Sequence, residues 1–380
     1  MRLIFGSALF ALAGCHESAE HDGHPLDANH GGHIDGGPQA DAGPQADAQA
    51  DAGPRPDSGP LPEEGLPREA IFVANGGSAS VSVIDPESLE VIATLEAGAG
   101  LHPHHFSLSP DSARLLLSAT SADLAAGHAG HGAAGTAAIF LVDTRSGEVS
   151  RVVDVDATAH NGAFVEGGAT VVVAMSEHGM IQAFDAASGD ETWFLPVGEA
   201  PLEVTPSLDG ALLYVANSGD DTVSVVDLMT REITATLRVS ELPVAAWAAT
   251  NGNLYVSCEA GEAVAVISDD APTEVATTID VGGAPGQAYT TPDGAELWVA
   301  IENRGVIAVF DATDHALIEE LPAGTKPHGL TFEPSGERAF VTDEEADVVL
   351  VFDVARRTQI GEIPVGTAPN GIVWVTRPLE

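Results

Sequence analysis

The sequence predicts an all-β protein, a seven-bladed β-propeller of four-stranded blades, and two spacings carry this prediction. A short apolar run that mostly ends in Asp repeats along the 380-residue chain, with successive ends 58, 42, 42, 41, 43 and 42 residues apart. Proline recurs every 42 residues in a second slot. Each unit also holds four runs of strand-forming residues separated by turn residues, which is the composition of a propeller blade. The runs end at Asp85, Asp143, Asp185, Asp227, Ser268, Asp311 and Asp353, and the prolines are Pro201, Pro243, Pro285, Pro327 and Pro369.

The two ends of the repetitive region, residues 67–380, predict how the ring closes. Residues 371–375 match the first strand of a repeat, and residues 70–74 match the second strand. We therefore expect the C-terminal strand to complete the blade that begins at the N-terminus, which removes open sheet edges. The first spacing is long because about 16 residues, 120–136, are inserted between two strands.

The charge of the chain excludes one large class of partner. Lys and Arg number 14 against 57 Asp and Glu, a formal net charge of −43. Nucleic-acid binding requires clustered Lys and Arg, so no nucleic-acid partner is expected. Two Cys exclude a disulfide-rich framework. We expect a monomer.

The N-terminus has the pattern of an export signal. Its apolar run, Leu3 to Ala13, is too short to span a bilayer. The run ends in Leu-Ala-Gly-Cys, which resembles a bacterial lipobox, a signal that is cut before a Cys that then carries the lipid. This resemblance implies that residues 1–14 are a lipoprotein signal peptide and that Cys15 is the palmitate-bearing anchor and the sole membrane contact. His16 follows instead of Asp, which resembles outer-membrane sorting and places the protein in the cell envelope, facing the periplasm or the cell surface. An ordinary signal peptide with an incidental Cys is the alternative.

Residues 15–66 predict a disordered tether. Asp-Ala-Gly-Pro repeats fill much of this segment, and few of its residues could form a core. Its first part contains five histidines interleaved with aspartates, and imidazole and carboxylate are good ligands for divalent metals. Weak, flexible metal capture is our interpretation, against a merely hydrophilic spacer. The five histidines are His16, His21, His24, His30 and His33.

Histidines in the propeller region recur in one slot, directly after the repeat proline position. In a propeller this slot lies at the mouth of the central channel. His328, Asn370, His104 and His160 fill it on four consecutive blades around the closed ring. We therefore expect His104, His160 and His328 to converge as ligands of a divalent metal. His105 is a further candidate, although alternation along a strand would point it away from the axis.

The inserted loop, residues 120–136, is expected to add mobile histidines to the face of the propeller at the channel mouth. It carries His128 and His131 among glycines, so these imidazoles could close over a bound ion. Glu203, Asp343 and His178 are weaker candidates on this face. Further acidic residues there are Glu259, Glu344, Glu345 and Asp347.

Other recurrent residues predict structural roles. The repeat Asp is expected to cap the tight turn between the third and fourth strands of each blade. Asn75 and Asn217 are expected to be turn residues, and Cys258 an ordinary residue at a strand end.

Two quoted segments carry a family resemblance. Tyr214-Val215-Ala216-Asn217 and Phe72-Val73-Ala74-Asn75 resemble the YVTN-type propeller repeat of bacterial exported proteins, and this resemblance covers residues 69–376. The His-rich tail, the acidic domain and the His-lined channel together resemble periplasmic zinc chaperones of the AztD type. That resemblance implies Zn²⁺ as the ion and the substrate-binding protein of a metal importer as a partner. The lipid anchor and the long tether depart from it.

Three functions remain open at this point. The first is an exported lipoprotein that binds a divalent metal as a metallochaperone or metal buffer, with no enzymatic activity. The second is a protein-binding or scaffold propeller at the cell surface. The third is a lactonase-like, metal-dependent hydrolase, for which the sequence contains no nucleophile elbow and no paired-carboxylate motif.

Overall fold

A computed structural model of the chain describes residues 61, 64–122 and 135–379. These residues form seven antiparallel sheets of four strands each, so the predicted all-β, seven-bladed propeller is confirmed. The C-terminal strand pairs with the N-terminal one, with Phe72 opposite Val373 and Val73 opposite Ile372. The ring therefore closes as the sequence predicts.

The first four blades, ordered around the ring, contain the following strands. Blade 1 contains β1 (Glu69–Asn75), β2 (Ser80–Asp85), β3 (Glu90–Glu96) and, as its innermost strand, β28 (Pro369–Thr376). Blade 2 contains β4 (His102–Leu108), β5 (Arg114–Thr120), β6 (Ala137–Asp143) and β7 (Val149–Val155). Blade 3 contains β8 (Gly162–Val165), β9 (Thr170–Met175), β10 (Met180–Asp185) and β11 (Glu191–Pro196). Blade 4 contains β12 (Pro201–Pro206), β13 (Leu212–Asn217), β14 (Thr222–Asp227) and β15 (Glu232–Arg238).

The remaining three blades continue the same order. Blade 5 contains β16 (Pro243–Ala248), β17 (Asn253–Cys258), β18 (Ala263–Ser268) and β19 (Val275–Asp280). Blade 6 contains β20 (Pro285–Thr290), β21 (Glu296–Ile301), β22 (Val306–Asp311) and β23 (Leu317–Pro322). Blade 7 contains β24 (Pro327–Phe332), β25 (Arg338–Asp343), β26 (Val348–Asp353) and β27 (Thr358–Pro364). Short 3₁₀ turns occur at Glu166–Gly168, Ser176–His178 and Glu302–Arg304.

Burial of the strands follows from the stacking of blades. The second and third strands of each blade are buried almost throughout, because neighbouring blades cover both of their faces. Their apolar residues pack between blades, as in the cluster that joins Ile71 and Ile372 of blade 1 to Phe340 and Val351 of blade 7. The outermost strands are largely exposed. This pattern explains why the inner runs are continuously apolar while the outer ones are mixed.

The repeat Asp caps the turn between the third and fourth strands, as predicted. Asp227 Oδ1 accepts hydrogen bonds from the backbone N–H of Met229 at 2.9 Å and of Thr230 at 2.8 Å. Such backbone donors hold the pKa of this carboxyl below its usual 3.8. The same direction applies at Asp185, Asp311 and Asp353.

The prediction for Asn75 and Asn217 is wrong. Both are the last residues of buried strands, and their side chains lie under the following hairpin. Asn217 Nδ2 donates to the hydroxyls of Thr222 and Ser224, each at 3.0 Å, and its Oδ1 accepts from Gly198 N–H at 3.1 Å. An amide was needed here because it satisfies donors and acceptors that apolar strand residues would leave unpaired.

The seven innermost strands contact one another in sequence around the axis. Their approach is close: a Cβ added at Gly371 would clash with the backbone oxygen of His104. Side chains from neighbouring blades are thereby brought within contact distance on the axis. Within the described part of the chain, no helix has the length and apolar character needed to cross a membrane.

Candidate metal centre

Four histidines from three blades meet inside the channel. His104 and His105 lie on β4, His160 lies two residues before the start of β8, and His328 lies on β24. All four are buried, with exposed fractions of 2, 3, 0 and 3 % respectively. The ring centroid of His104 lies 4.3 Å from the centroid of His105, 4.4 Å from that of His160 and 5.7 Å from that of His328. The structure thus brings together His104, His160 and His328, which share the slot, and with them His105, the further candidate.

A β-bulge explains why two consecutive residues of β4 join the cluster. Pro103 pairs with Ala119, but Phe106 pairs with Leu117, so the innermost strand has one extra residue between these pairs. A bulge interrupts the alternation of side chains and re-aims the residues within it. His105 therefore lies in the cluster, although regular alternation would have pointed it away.

The loop that carries His160 is fixed from two sides. Glu177 accepts hydrogen bonds from the backbone N–H of Thr158 at 2.7 Å and from its hydroxyl at 2.7 Å. The hydroxyl of Ser118 donates to the backbone oxygen of Ala159. The buried imidazole of His160 is therefore preorganised, despite lying outside a strand.

The imidazoles of His105 and His328 face each other. Their Nε2 atoms lie 3.4 Å apart. Two nitrogens bound tetrahedrally to zinc at about 2.0–2.1 Å are about 3.3–3.4 Å from each other. The spacing of this pair fits that of two ligands of one ion.

The Nδ1 atoms of the same two histidines face carboxylates. His328 Nδ1 lies 2.7 Å from Glu302 Oε1, and His105 Nδ1 lies 3.5 Å from Glu203 Oε2. A carboxylate at one ring nitrogen orients the imidazole and increases the basicity of the other nitrogen, which is the usual support of a metal-binding histidine. The donor set and its support therefore fit a borderline divalent cation.

Glu203 lies between two of the histidines. Its Oε2 atom is also 3.8 Å from His160 Nδ1, and its Oε1 accepts hydrogen bonds from Asn161 and from Thr205. Burial raises the pKa of Glu203 to about 8, although the two hydrogen bonds oppose the shift. A cation nearby would favour the ionised form.

A second group of potential ligands adjoins the first through His328. Ligand atoms of Glu302, His328 and Glu344 all lie within 4.8 Å of one another, as do those of His104, His105 and His160. Burial would lower the pKa of His328, but the carboxylates of Glu302 and Glu344 outweigh it and raise that pKa. Lys326 contacts both carboxylates, with its Nζ 2.6 Å from Glu344 Oε2 and 3.8 Å from Glu302 Oε2.

The remaining predicted residues either lie outside the described residues or have other surroundings. His128, His131 and Cys15 lie outside the described residues, and so do the five histidines of the tether. Asp343 accepts hydrogen bonds from the backbone N–H of Thr325 and Lys326, so it shapes the loop before β24. His178 is exposed at the end of a 3₁₀ turn.

Two members of the centre, Glu302 and Lys326, are absent from the sequence-based prediction. The repeat offered a signal for Glu302, because it occupies the same slot as Glu259 and Glu344, 43 and 42 residues away. Lys326 precedes the repeat proline Pro327, and no other blade has a lysine, arginine or carboxylate at this position.

Comparison with known families shows which protein family the chain belongs to. The model of the YNCE-like beta-propeller family matches residues 66–333, more than half of the chain. The chain belongs to the YNCE-like β-propeller family. No curated protein matches the sequence.

Solved structures with similar folds have diverse names. The periplasmic gluconolactonase of Pseudomonas aeruginosa is 17 % identical, with a TM-score of 0.64 over 82 % of this chain and 99 % of the other. Hydrazine synthase of Kuenenia stuttgartiensis is 19 % identical, with a TM-score of 0.59 over 71 % and 88 %. A functionally unknown protein from Desulfotomaculum acetoxidans is 12 % identical, with a TM-score of 0.65 over 81 % and 99 %. At these identities the similarity to the solved structures shows the fold alone.

Proposed function

We propose that this protein binds a divalent metal ion, zinc above all, in the channel of its propeller. His104, His105, His160 and His328 are the proposed ligands. The observation that carries the proposal is the 3.4 Å separation of the Nε2 atoms of His105 and His328, each with a carboxylate at its Nδ1 side. Four buried imidazoles, two of them supported in this way, match what borderline divalent cations require.

The surroundings favour a cation over an anion. Glu203, Glu302 and Glu344 are buried beside the imidazoles, and burying carboxylates is costly unless positive charge compensates them. The chain as a whole has a net charge of −43, which raises the local concentration of cations. Irving–Williams ordering lets Cu²⁺ and Ni²⁺ compete at such a site.

The proposed role is that of a metallochaperone or metal buffer in the cell envelope. The lipobox-like segment around Cys15 supports anchoring of the chain through a lipid, and the His-rich tether supports capture of ions. By the resemblance to AztD-type chaperones, the substrate-binding protein of a metal importer is the proposed recipient. His128 and His131 are proposed to assist from the inserted loop.

The hydrolase alternative is less well supported by the space available. A cavity of about 30 Å³ adjoins His105, Glu203 and Tyr289. Such a volume accommodates one or two water molecules and is too small for a lactone ring. A site that leaves room for few water molecules beside a bound ion is better suited to carrying the ion than to hydrolysing a substrate.

Zinc titration of the mature protein tests the proposal. The reference protein carries Ala at the five tether histidines, so that only the propeller and its loops can bind. We expect submicromolar binding at neutral pH, measured by competition with a chromogenic chelator. His104→Ala combined with His105→Ala should weaken binding at least 100-fold, whereas His178→Ala, a matched exposed histidine, should leave it unchanged. Absence of binding by the reference protein, or equal binding by the double variant, would refute the proposed centre.

A further inference from the structure

Lys326 is the only lysine among the 380 residues. It lies at the channel, in the loop that precedes β24, two residues before His328. Its ammonium contacts Glu344 Oε2 at 2.6 Å and Glu302 Oε2 at 3.8 Å, and its side chain is only 19 % exposed. The other 13 basic residues are arginines, so the one flexible, compact ammonium of the chain is at this position.

The two carboxylates at Lys326 belong to a ready-made cation site. Glu302, His328 and Glu344 each offer a ligand atom, and these atoms lie within 4.8 Å of one another. The side-chain amide of Asn370 donates to Glu344, and His328 Nδ1 faces Glu302 at 2.7 Å, so both carboxylates are held in place. Two buried carboxylates this close require compensating positive charge.

We infer that the Lys326 ammonium occupies the place of a second cation at Glu302 and Glu344 and competes with a divalent ion that would bind these carboxylates together with His328. The inference deepens the proposed function and rests on it, because His328 belongs to both groups of ligands. An ion that recruits His328 and the two carboxylates must displace the ammonium, which then moves towards solvent on its flexible stem. On release of the ion, the ammonium returns and compensates the carboxylates again.

This arrangement suits a carrier. A site built only from carboxylates and imidazoles would retain its ion too tightly to pass it on, since losing the ion would leave buried charges uncompensated. A tethered competitor lowers the affinity and stabilises the empty state. An arginine would compete less reversibly, because its planar fork binds a carboxylate through two hydrogen bonds.

Lys326→Met tests the inference, with Lys326→Arg as the charge-conserving control, both in the protein lacking tether histidines. Zinc affinity is measured by chelator competition, and the number of bound ions by metal analysis after gel filtration. We expect Lys326→Met to bind zinc at least tenfold more tightly or to take up one additional equivalent, and Lys326→Arg to do neither. Equal or weaker binding by a folded Lys326→Met would overturn the inference.

Amine acetylation of the unsubstituted chain gives an independent reading that requires no variant. Because Lys326 is the sole lysine, mass spectrometry of its peptide reports the reactivity of one side chain. We expect zinc to increase the acetylation rate severalfold by displacing the ammonium; an unchanged or reduced rate would contradict displacement.

Failure of the inference is distinguishable from failure of the proposed function. If the protein that lacks only the tether histidines binds zinc and its Lys326→Met variant binds zinc equally, only the inference fails. If that protein binds no zinc and its Lys326→Met variant gains a site, competition by Lys326 holds and the proposed function fails. If neither protein binds, both are rejected.

Discussion

The Nε2 atoms of His105 and His328 lie 3.4 Å apart, although 223 residues separate them in the chain. Blade 2 supplies the first and blade 7 the second, and blade 1, which contains both ends of the propeller, lies between these blades. Closure of the ring is therefore a condition for the pair to exist. This relationship links the stability of the fold to the proposed chemistry of the channel.

Glu302→Gln should weaken zinc binding by about 10- to 100-fold, because the carboxylate that orients His328 and increases its basicity is lost. Glu259→Gln is the matched control, since Glu259 occupies the same repeat slot one blade earlier and is not a member of the candidate centre. Chelator competition measures both affinities. Similar affinities for the two variants would contradict a supporting role for Glu302.

Ile372→Ala should destabilise the protein by about 2–4 kcal/mol, as is usual for truncation of a buried isoleucine. Ile372 is 4 % exposed in the closing strand β28, between blades 1 and 7, whereas the control Ile360 is 54 % exposed. Ile360→Ala should change the free energy of unfolding by less than about 0.5 kcal/mol. Urea denaturation followed by circular dichroism measures both, and comparable losses would argue against closure as a major source of stability.

Asn217→Ala should cost about 2–3 kcal/mol, because it removes the amide that serves two hydroxyls and one backbone N–H in a buried hairpin. The expected shift appears in the denaturant midpoint, with an unchanged slope. Asn251→Ala, in a partly exposed turn, is the comparison and should lose less. A neutral outcome at Asn217 would mean that water replaces the amide.

Acid should destabilise the propeller through its turn aspartates. The pKa of Asp185, Asp227, Asp311 and Asp353 is held below the usual 3.8, chiefly by backbone N–H donors. As pH falls from about 4, the unfolded chain binds protons first, so the stabilisation is present above that pH and is lost as pH falls through the lower pKa of the folded state. Denaturant midpoints between pH 6 and pH 3 measure the loss.

Asp227→Asn provides the control for that pH dependence. The amide retains an acceptor for Met229 and Thr230 but does not titrate, so the decline in stability between pH 4 and pH 3 should be smaller in the variant. An identical decline in both proteins would assign the acid sensitivity to other carboxyl groups.

Much of the candidate centre could be predicted from position within the sequence repeat alone. The repeat places His104, His160 and His328 in one slot, and a slot in a closed ring is a position around the axis. The role of His105 required a bulge that shifts the pairing of β4 with β5, and such a shift leaves no mark in a single sequence. Glu302 could have been found from the slot of Glu259 and Glu344, because it fills the same slot on the blade between theirs.

The sequence by itself determined the number of blades, the closure of the ring and the side of the channel on which histidines gather, because a 42-residue period converts position in the chain into position around an axis. The tertiary structure alone decided which nitrogens face each other, that Glu203 and Glu302 stand behind two of them, and that the only lysine lies between two glutamates. These are distances between side chains of different blades. They depend on bulges, 3₁₀ turns and the close approach of inner strands, which a repeat period does not encode.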